Sequence, residues 1–270
     1  MTPEGSGTPA MDDGAFMHRP ALEIAVQDLD GARIAAEAGA DRVELCAALG
    51  ATGGITPGAG LIGCCAQAGV PLGVQVLIRP RAGDFVFSDE EKRVQLAEIG
   101  PALAAGASGV VVGGVDEEGE IDVPFARDLI DEAHAQAERL GRGVDVTFHR
   151  AFDVVSDRRE SLETLISLGY TRVLTSGGAP SASEGCDELR RLVGWSAGRI
   201  QIMAGGGATP SALPFLVEAG VDAVHLSAKV VTHSAGGPGG GGAEAVVERT
   251  DPPTVRAAVA AVRQVRNRNC

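Results

Sequence analysis

Basic residues are in short supply in this chain, and the shortage limits the partners that it can bind. Its 270 residues include 23 Lys and Arg against 36 Asp and Glu, so the formal net charge is −13. Nucleic acids and anionic membranes bind proteins through clustered positive charge. The composition therefore predicts neither a nucleic-acid partner nor a membrane partner.

Cysteine is also sparse, and its spacing argues against two further classes of protein. The chain has five cysteines, an odd number, and no two of them have the C-x-x-C spacing. This pattern disfavours a disulfide framework and a structural zinc site, and it favours a reduced, cytoplasmic compartment. The five are Cys46, Cys64, Cys65, Cys186 and Cys270.

Long apolar runs are missing as well. No stretch approaches the roughly 18 consecutive apolar residues that span a membrane, and no basic patch followed by an apolar core marks a signal peptide. Residues 1–19 are rich in Gly, Pro and Thr, and we expect them to form a disordered tail.

Segments with strand and helix character alternate from Pro20 onward. Short apolar segments predict eight strands, at residues 22–26, 42–46, 72–79, 109–115, 144–149, 172–176, 200–203 and 223–227. Helical patterns lie between and after them, at residues 30–38, from 57 onward, and at 88–105, 124–139, 161–168, 183–193, 210–219 and 252–266. Eight strands and eight helices in about 250 residues are typical of a TIM-type (β/α)8 barrel. We predict one such barrel over residues 20–270.

Capping residues and glycines mark the helix ends. Asp30 is predicted as the first N-cap, and Ser88 opens a capping box. A capping residue directly before a proline marks three further helix starts, at Thr56, Thr209 and Asp251. A glycine expected in the left-handed conformation ends four helices, at Gly39, Gly106, Gly169 and Gly220.

A doubly wound open sheet is the alternative fold. Its dinucleotide-binding turn, G-x-G-x-x-G after the first strand, is replaced here by Val-Gln-Asp-Leu-Asp at residues 26–30. The Gly-rich residues 234–242 interrupt the repeat between the last strand and the last helix, and we expect a flexible loop there. On a barrel this loop lies on the active-site face, where it is either a mobile loop or an insertion without a role.

The fifth predicted strand ends in an unusual group of ionisable residues. Val144, Val146 and Phe148 alternate with polar positions, and the segment runs directly into His149-Arg150-Ala151-Phe152-Asp153. Barrel enzymes carry their catalytic residues at this end of the strands. The segment therefore predicts the rim of an active site.

Strand parity extends this rim into the barrel interior, because successive side chains of a strand point to opposite faces. Apolar positions should face the helices, which leaves the intervening residues inside. The predicted interior is Glu23, Glu44, Cys46, Gln75, Arg79, Thr147, His149, Gln201, Met203, His225 and Ser227. An interior of this polarity indicates a site, although a self-satisfied ion network is the alternative.

These side chains suit acid–base chemistry on an anion. We predict His149, Asp153, Glu44 and Arg79 as catalytic, with His149 as general acid or base because its ordinary pKa is near neutral. Asp153 could orient His149 or pair with it. Anions could be bound by paired arginines and by backbone N–H groups of Gly-rich turns. The predicted anion-binding residues are Arg79, Arg81, Arg150, Ser176, Gly177, Gly205, Gly206 and Ser227.

Five motifs in order make the chain resemble the CutC family of copper-homeostasis proteins. They are Gly-Ala-Asp-Arg-Val-Glu-Leu-Cys (39–46), Arg-Pro-Arg-Ala-Gly-Asp-Phe (79–85), Val-Thr-Phe-His-Arg-Ala-Phe-Asp (146–153), Leu-Thr-Ser-Gly-Gly (174–178) and Ile-Met-Ala-Gly-Gly-Gly (202–207). The resemblance implies a TIM-like barrel, a cytoplasmic homo-oligomer and a role in copper handling.

The resemblance also implies a copper site made by two cysteines, and this chain has only one of them. Cys46 matches the second, but Ala25 stands where the family commonly has the first. Cu(I) favours soft thiolate and thioether ligands, so Met203, His149 or His225 would have to complete a different site.

Two hypotheses therefore stand. The first is a copper-binding homeostasis protein with Cys46 as a ligand. The second is a metabolic enzyme that uses His149, Arg79, Asp153 and Glu44 on a small anionic or phosphorylated metabolite.

Overall fold

The chain folds into a closed barrel of eight parallel strands. The computed structural model describes residues 19–233 and 246–266. Strands pair in chain order, and β1 closes the barrel against β8. The strands are β1 Ala21–Val26, β2 Arg42–Leu45, β3 Val74–Leu77, β4 Gly109–Val112, β5 Asp145–Phe148, β6 Arg172–Thr175, β7 Gln201–Ala204 and β8 Ala223–Leu226. The predicted (β/α)8 barrel is confirmed.

Helices follow the strands and cover the outside of the barrel. In the described part of the chain they are α1 Leu29–Ala38, α2 Leu49–Thr52, α3 Ala59–Ala66, α4 Asp89–Ala104, α5 Val123–Arg139, α6 Arg158–Leu168, α7 Cys186–Ser196, α8 Leu213–Glu218 and α9 Pro252–Arg266. A 3₁₀ helix, Arg150–Asp153, follows β5. Two antiparallel strands, β9 Lys229–His233 and β10 Val246–Thr250, follow β8. The sequence patterns predicted neither α2 nor this pair.

The glycine stops lie as predicted. Gly39 and Gly169 both end their helices at positive φ, 88° and 89°, where a Cβ would be strained. In α1 the N–H of Gly39 donates back to the carbonyl groups of the last turn. Two residues, Ala40 and Asp41, therefore separate the Gly39 cap from β2.

Some predicted helix starts were wrong. Asp28, not Asp30, caps α1, because its extended backbone lets its carboxylate accept the N–H of Gly31. The proline pairs at Thr56 and Thr209 do not open helices, since α3 begins at Ala59 and α8 at Leu213. Asp251, by contrast, accepts the N–H of Thr254 at the start of α9, and Ser88 forms the predicted capping box on α4.

Apolar residues form one large core between the barrel and its helices. Val146 and Phe148 of β5 lie in it, as their parity predicted. Two small apolar clusters lie apart from it, one of Cys46, Leu77 and Val111 and one of Leu174, Met203 and Ala223. These residues share the inward parity of their strands, so we assign both clusters to the barrel interior.

Two predictions about flexible segments lie outside the described residues. The predicted N-terminal tail covers residues 1–19, of which only Arg19 is described. Arg19 forms a salt bridge with Asp41 at the start of β2. The predicted Gly-rich loop, residues 234–242, lies wholly outside the described part of the chain.

Candidate active site

The inward-facing residues of the strands are polar and almost all buried. Parity placed eleven residues inside, and nine of them are buried, namely Glu23, Glu44, Cys46, Gln75, Arg79, Thr147, His149, Met203 and His225. Ser227 is half-buried at the end of β8. Gln201 is exposed because it opens β7 at the opposite end of the barrel, where its amide oxygen accepts from Arg172.

His149 is held as a neutral hydrogen-bond donor. It precedes the 3₁₀ helix as its N-cap, and its Nδ1 accepts the backbone N–H of Ala151 at 3.2 Å. Nδ1 therefore carries no proton, and the neutral ring carries its proton on Nε2. Burial, with a smaller contribution from Arg79, lowers the pKa of His149 from 6.5 to about 3. The predicted reason for its role, a pKa near neutrality, was wrong.

The Nε2 atom of His149 is buried and has no hydrogen-bond partner among the described residues. Space for the ring comes from Gly113, directly after β4, where a Cβ would lie 2.7 Å from Nδ1. The ring packs on Phe85, with 4.9 Å between the ring centroids. A buried N–H without an acceptor costs about 1–3 kcal/mol, so a bound acceptor would be favourable here.

Arg79 presents a second donor of the same kind. Its Nη1 donates to the carbonyls of Thr52 and Gly54, and its Nη2 donates to that of Gly83 at 2.6 Å. These bonds fix the guanidinium, whose Cζ lies 5.1 Å from the centroid of Phe85. Its Nε is buried and has no partner in the described part of the chain. Arg79 and His149 therefore pack on one aromatic ring, and each keeps one free N–H.

Arg81 does not join Arg79. Its Nε donates to Glu91 at 2.6 Å, and its Nη2 donates to Asp84 and to the carbonyl of Val86. The predicted clamp of two arginines on one anion is not formed, because Glu91 and Asp84 already hold the Arg81 side chain.

The Asp153 carboxylate is hydrogen-bonded to neighbouring groups of the protein and does not contact His149. Its carboxylate accepts from the Arg150 side chain at 2.7 Å and from the Thr175 hydroxyl. It also accepts the backbone N–H groups of Ser176 and Gly178, at 2.9 and 3.2 Å. The prediction that Asp153 orients or pairs with His149 was therefore wrong.

The same contacts revise the predicted anion site after β6. The N–H groups of Ser176 and Gly178 are bonded to Asp153, and that of Gly177 donates to Thr175. An anion from solution would have to displace a carboxylate of the protein. Gly205 is also engaged, since its N–H donates to the Thr175 carbonyl.

Two predicted anion-binding residues meet at the open rim. Arg150 is 43% exposed and donates to the Ser176 hydroxyl as well as to Asp153. Its guanidinium lies over Gly206, where a Cβ would be 2.8 Å from Cζ. Glycine is therefore required at this position if Arg150 is to keep its place.

A buried chain of charges lies deeper in the barrel. His225 contacts Glu23 through Nδ1 at 2.7 Å and faces Glu44 through Nε2 at 3.6 Å. Glu23 also binds Arg42. Burial acts against the charge on His225, but the two glutamates outweigh it and raise its pKa. Burial alone would raise the pKa of Glu23, yet Arg42 and His225 hold it well below its ordinary range.

Glu44 behaves differently from Glu23. Burial raises the pKa of Glu44 and outweighs the opposing pull of His225, and nearby Glu23 adds a smaller rise. The Glu44 carboxyl therefore holds a proton more readily than an ordinary glutamate, whereas the Glu23 carboxyl holds one less readily.

Two arginines of the barrel interior, Arg42 and Arg172, were not predicted from the sequence. Arg42 donates to Glu23 and to the Met203 sulfur, at 3.2 Å. Arg172 is 2% exposed and donates to the Thr147 hydroxyl at 2.8 Å and to Asp145 at 3.1 Å. Arg42 lies two residues before the inward-facing Glu44, and Arg172 lies two residues before the inward-facing Leu174. Strand alternation therefore predicts that both arginines point into the barrel.

The candidate copper ligands do not converge. Met203 accepts from Arg42, and His225 is held between two carboxylates. Burial and Glu44 raise the pKa of the Cys46 thiol well above its ordinary value, so the thiolate that a metal needs is disfavoured. Across residues 19–233 and 246–266, no group of three His, Cys, Asp or Glu side chains has metal-binding geometry.

Surface grooves occur elsewhere, on the outer helices. One lies between α1 and α9, beside Arg256 and Arg263, and another lies between α3 and α4, beside Ile62 and Pro101. Neither contains any of the inward-facing polar residues. Within the described segments no helix is long and apolar enough to cross a membrane.

Fold and site together define a (β/α)8 barrel with a polar interior and with free hydrogen-bond donors at the carboxyl ends of its strands, where barrel enzymes act. The CutC family model matches residues 20–230. The chain belongs to the CutC family.

Individual relatives agree. A CutC family protein of Agrobacterium fabrum is 47% identical over 211 residues, which are 78% of this chain and 80% of the relative. The human copper homeostasis protein cutC homolog is 42% identical over 77% of this chain and 73% of its own length. The crystal structure of CutC from Streptococcus agalactiae has a TM-score of 0.69 at 32% identity, covering 76% of this chain and 97% of that one.

Proposed function

We propose that this CutC family protein binds a small anionic metabolite at the mouth of its barrel and acts on it by acid–base chemistry. The observation that carries the proposal is the pair of buried donors without acceptors, Nε2 of His149 and Nε of Arg79. Both donors would be satisfied by an oxygen atom of a bound molecule. Each hydrogen bond to a charged group contributes about 1.5–3 kcal/mol.

The positive charge of Arg79 makes an anion the favoured class of ligand. Arg150 offers further positive charge at the rim, half-exposed over Gly206. The whole chain is acidic, so its net charge disfavours anions over most of the surface, and these arginines make the mouth a local exception. Glu44 supplies the group that would exchange a proton with the ligand.

Two substitutions of His149 separate its contacts. His149→Asn keeps an acceptor for the Ala151 N–H, since Asn is a good N-cap, but it removes the Nε2–H. His149→Gln keeps an N–H donor near the Nε2 position but loses the cap. A thermal-shift screen of anionic metabolites would compare both variants with wild type, because at a fixed concentration a tighter ligand of the folded state raises the Tm further.

We expect at least one small anion to stabilise wild type and His149→Gln, and to bind His149→Asn roughly 10–100-fold more weakly. His134 is exposed on α5, and His134→Asn is the matched control that should behave as wild type. An equal response of His149→Asn and wild type would contradict the proposal, and so would a screen in which no small anion stabilises wild type.

Copper handling is the second candidate, which the name of the human relative favours. The residues of this chain do not fit a Cu(I) site, because Cys46 has Ala25 in place of a second inward cysteine. We therefore expect no stoichiometric Cu(I) binding in competition with a chelator. Ala25→Cys should create it, because Ala25 and Cys46 share the inward face, and Ala25→Ser is the control. Tight binding by wild type that is lost in Cys46→Ala would favour copper instead.

A cytoplasmic location and a homo-oligomer complete the proposal. Both are implied by the family resemblance, and the cysteines that the structure describes are free thiols, as a reducing compartment requires. Light scattering on the purified protein should give a mass that is a multiple of 27.4 kDa, and the mass of a single chain would contradict the oligomer.

A further inference from the structure

The floor of the barrel mouth is formed by Glu44 and His225, and the side chains above them are small. The next inward positions on β2 and β8 are Cys46 and Ser227. Gly205 follows β7, where a Cβ would lie 3.1 Å from the Cβ of His225. Glu44 and His225 consequently keep exposed fractions of 6% and 9%, although both lie inside the barrel.

The two free donors follow strands on one side of Glu44 around the same mouth. Arg79 follows β3, which pairs with β2, and His149 follows β5, while β4 between them is followed by Gly113, which has no side chain. The mouth thus offers N–H groups after β3 and β5 and a carboxyl group from β2 at its floor. A molecule bound between them would meet an acid–base group and an oxyanion-binding pair at the same time.

We propose that this site transfers a proton at the carbon next to a carbonyl group in a small anionic ketone. The inference rests on the proposed function, since it names the substrate class and the reaction of the same mouth. Glu44 is the base in this assignment, and His149 and Arg79 are the donors to the carbonyl oxygen.

The step balances without a cofactor. The carboxylate of Glu44 takes the proton from the carbon, and the C–H electron pair forms a carbon–carbon double bond. The carbonyl π electrons move onto oxygen, and the enolate oxygen accepts from Nε2 of His149 and Nε of Arg79. Return of the proton to the same carbon gives exchange, and its delivery to the former carbonyl carbon of a hydroxyketone, after proton transfer between the oxygens, gives isomerisation.

A neutral imidazole suits this role better than a charged one. His149 cannot be the base, because Nδ1 is engaged by the Ala151 N–H and Nε2 carries the proton. Isomerases of this reaction class divide the work in the same way, with a carboxylate as base and a neutral imidazole as donor to the carbonyl.

His225 and Glu23 are positioning residues for Glu44. The Nε2 atom of His225 faces Glu44, while its Nδ1 is held by Glu23, which Arg42 fixes in turn. The imidazole cannot rotate away without breaking the contact with Glu23. Glu44 is thereby kept at one place on the floor of the mouth.

Deuterium exchange tests the reaction without knowledge of the product. Pyruvate and dihydroxyacetone phosphate are the probes, each incubated with the full-length protein in D₂O and followed by proton NMR. We expect exchange of the protons next to the carbonyl, in at least one probe, above the rate in buffer alone. No exchange in either probe would overturn the proposal.

Variants assign the roles. Glu44→Gln should slow the exchange by about 100-fold or more, as loss of a general base does. His149→Asn should slow it by at least about tenfold, while His149→Gln should restore much of the rate. Glu138 is exposed on α5, and Glu138→Gln is the control that should keep the wild-type rate. Exchange at the wild-type rate in a folded Glu44→Gln would overturn the assignment of the base.

The two proposals fail in different ways. An anion that stabilises wild type but not His149→Asn, combined with no exchange in either probe, would leave the binding function standing and overturn the reaction. Should Glu44→Gln not fold, the contrast between His149→Asn and His149→Gln decides, since equal exchange rates in these two variants would overturn the role of the Nε2–H.

Discussion

The two ends of the segment that follows β5 differ in how fully the protein satisfies their hydrogen-bonding groups. At its end, Asp153 is closed in by Arg150, Thr175 and two backbone N–H groups, so its hydrogen-bonding capacity is used. At its start, His149 forms a hydrogen bond to the protein only through Nδ1, and its Nε2 is buried without a partner among the described residues. Both residues are polar, ionisable and only four positions apart.

This difference in hydrogen bonding distinguishes a carboxylate with a structural role, Asp153, from a side chain that can bind a ligand, His149. A carboxylate that accepts from four protein groups stabilises the loop after β6, and it leaves no room for a second anion. A buried donor without an acceptor destabilises the fold slightly, and it is retained where a ligand can satisfy it. The comparison therefore assigns stability to Asp153 and binding to His149.

The largest effect that tests this comparison is on stability. Asp153→Ala should lower the free energy of unfolding by about 3 kcal/mol, because it leaves the buried Ser176 N–H, the Thr175 hydroxyl and the Arg150 charge without their acceptor. Urea unfolding would measure it. Asp153→Asn keeps an acceptor oxygen and should lose less.

Asp187 provides the matched control for Asp153. It pairs with Arg190 on α7, but its side chain is 88% exposed. Asp187→Ala should therefore cost under about 1 kcal/mol. A cost for Asp153→Ala as small as this one would show that the enclosed half of the segment is not structural.

The second effect is the pH dependence of stability. The pKa of His149 falls from 6.5 to about 3 on folding, so between these values the unfolded chain binds a proton that the folded chain does not. The contribution of His149 to the free energy of unfolding is therefore complete above pH 6.5 and is lost as the pH falls toward 3. The slope from this one group is at most about 1.4 kcal/mol per pH unit.

His149→Asn removes this titration and should flatten the acid side of the stability curve by about 2.7 kcal/mol at two pH units below 6.5. Urea unfolding of both proteins across this range would measure the difference. His225 acts in the opposite sense, since its raised pKa gives stability that is lost as the pH rises, but it is common to both proteins. Parallel curves for wild type and His149→Asn would contradict the neutral state of His149.

The smallest effect concerns Arg81, which lies two residues from Arg79 but is held by Asp84 and Glu91. Arg81→Gln should leave ligand affinity unchanged and cost less than about 1 kcal/mol of stability, because its ion pairs are partly exposed. Arg79→Gln should weaken ligand binding roughly 10–100-fold. Equal losses of affinity in the two variants, measured by isothermal titration, would show that Arg81 also binds the ligand.

Parity explains how much of the interior could be predicted from the sequence. Alternation in β2 and β5 is strict, so Glu44 and His149 were placed correctly. Arg42 and Arg172 open their strands, and they were missed because only later positions of β2, and none of β6, were assigned a face. The same rule, applied from the first residue of every strand, would have included them.

Hydrogen-bond partners could not be predicted in this way. Parity gives the face of a side chain, but it does not say that Asp153 turns toward the loop after β6 and not toward His149. That choice depends on the 3₁₀ turn at Arg150–Asp153, which the strand pattern does not encode. The same turn also sets the protonated nitrogen of His149, and it thereby changes the role of His149 from a predicted general acid or base to a hydrogen-bond donor.

Nitrogen-15 NMR of the His149 ring tests the central claim most directly. The two-bond correlation spectrum of the labelled protein, assigned with His149→Asn, reports which ring nitrogen carries the proton. The account predicts a proton on Nε2, none on Nδ1 and no titration from about pH 5 to pH 8. A ring that is protonated on Nδ1, or that titrates near its ordinary pKa, would contradict it.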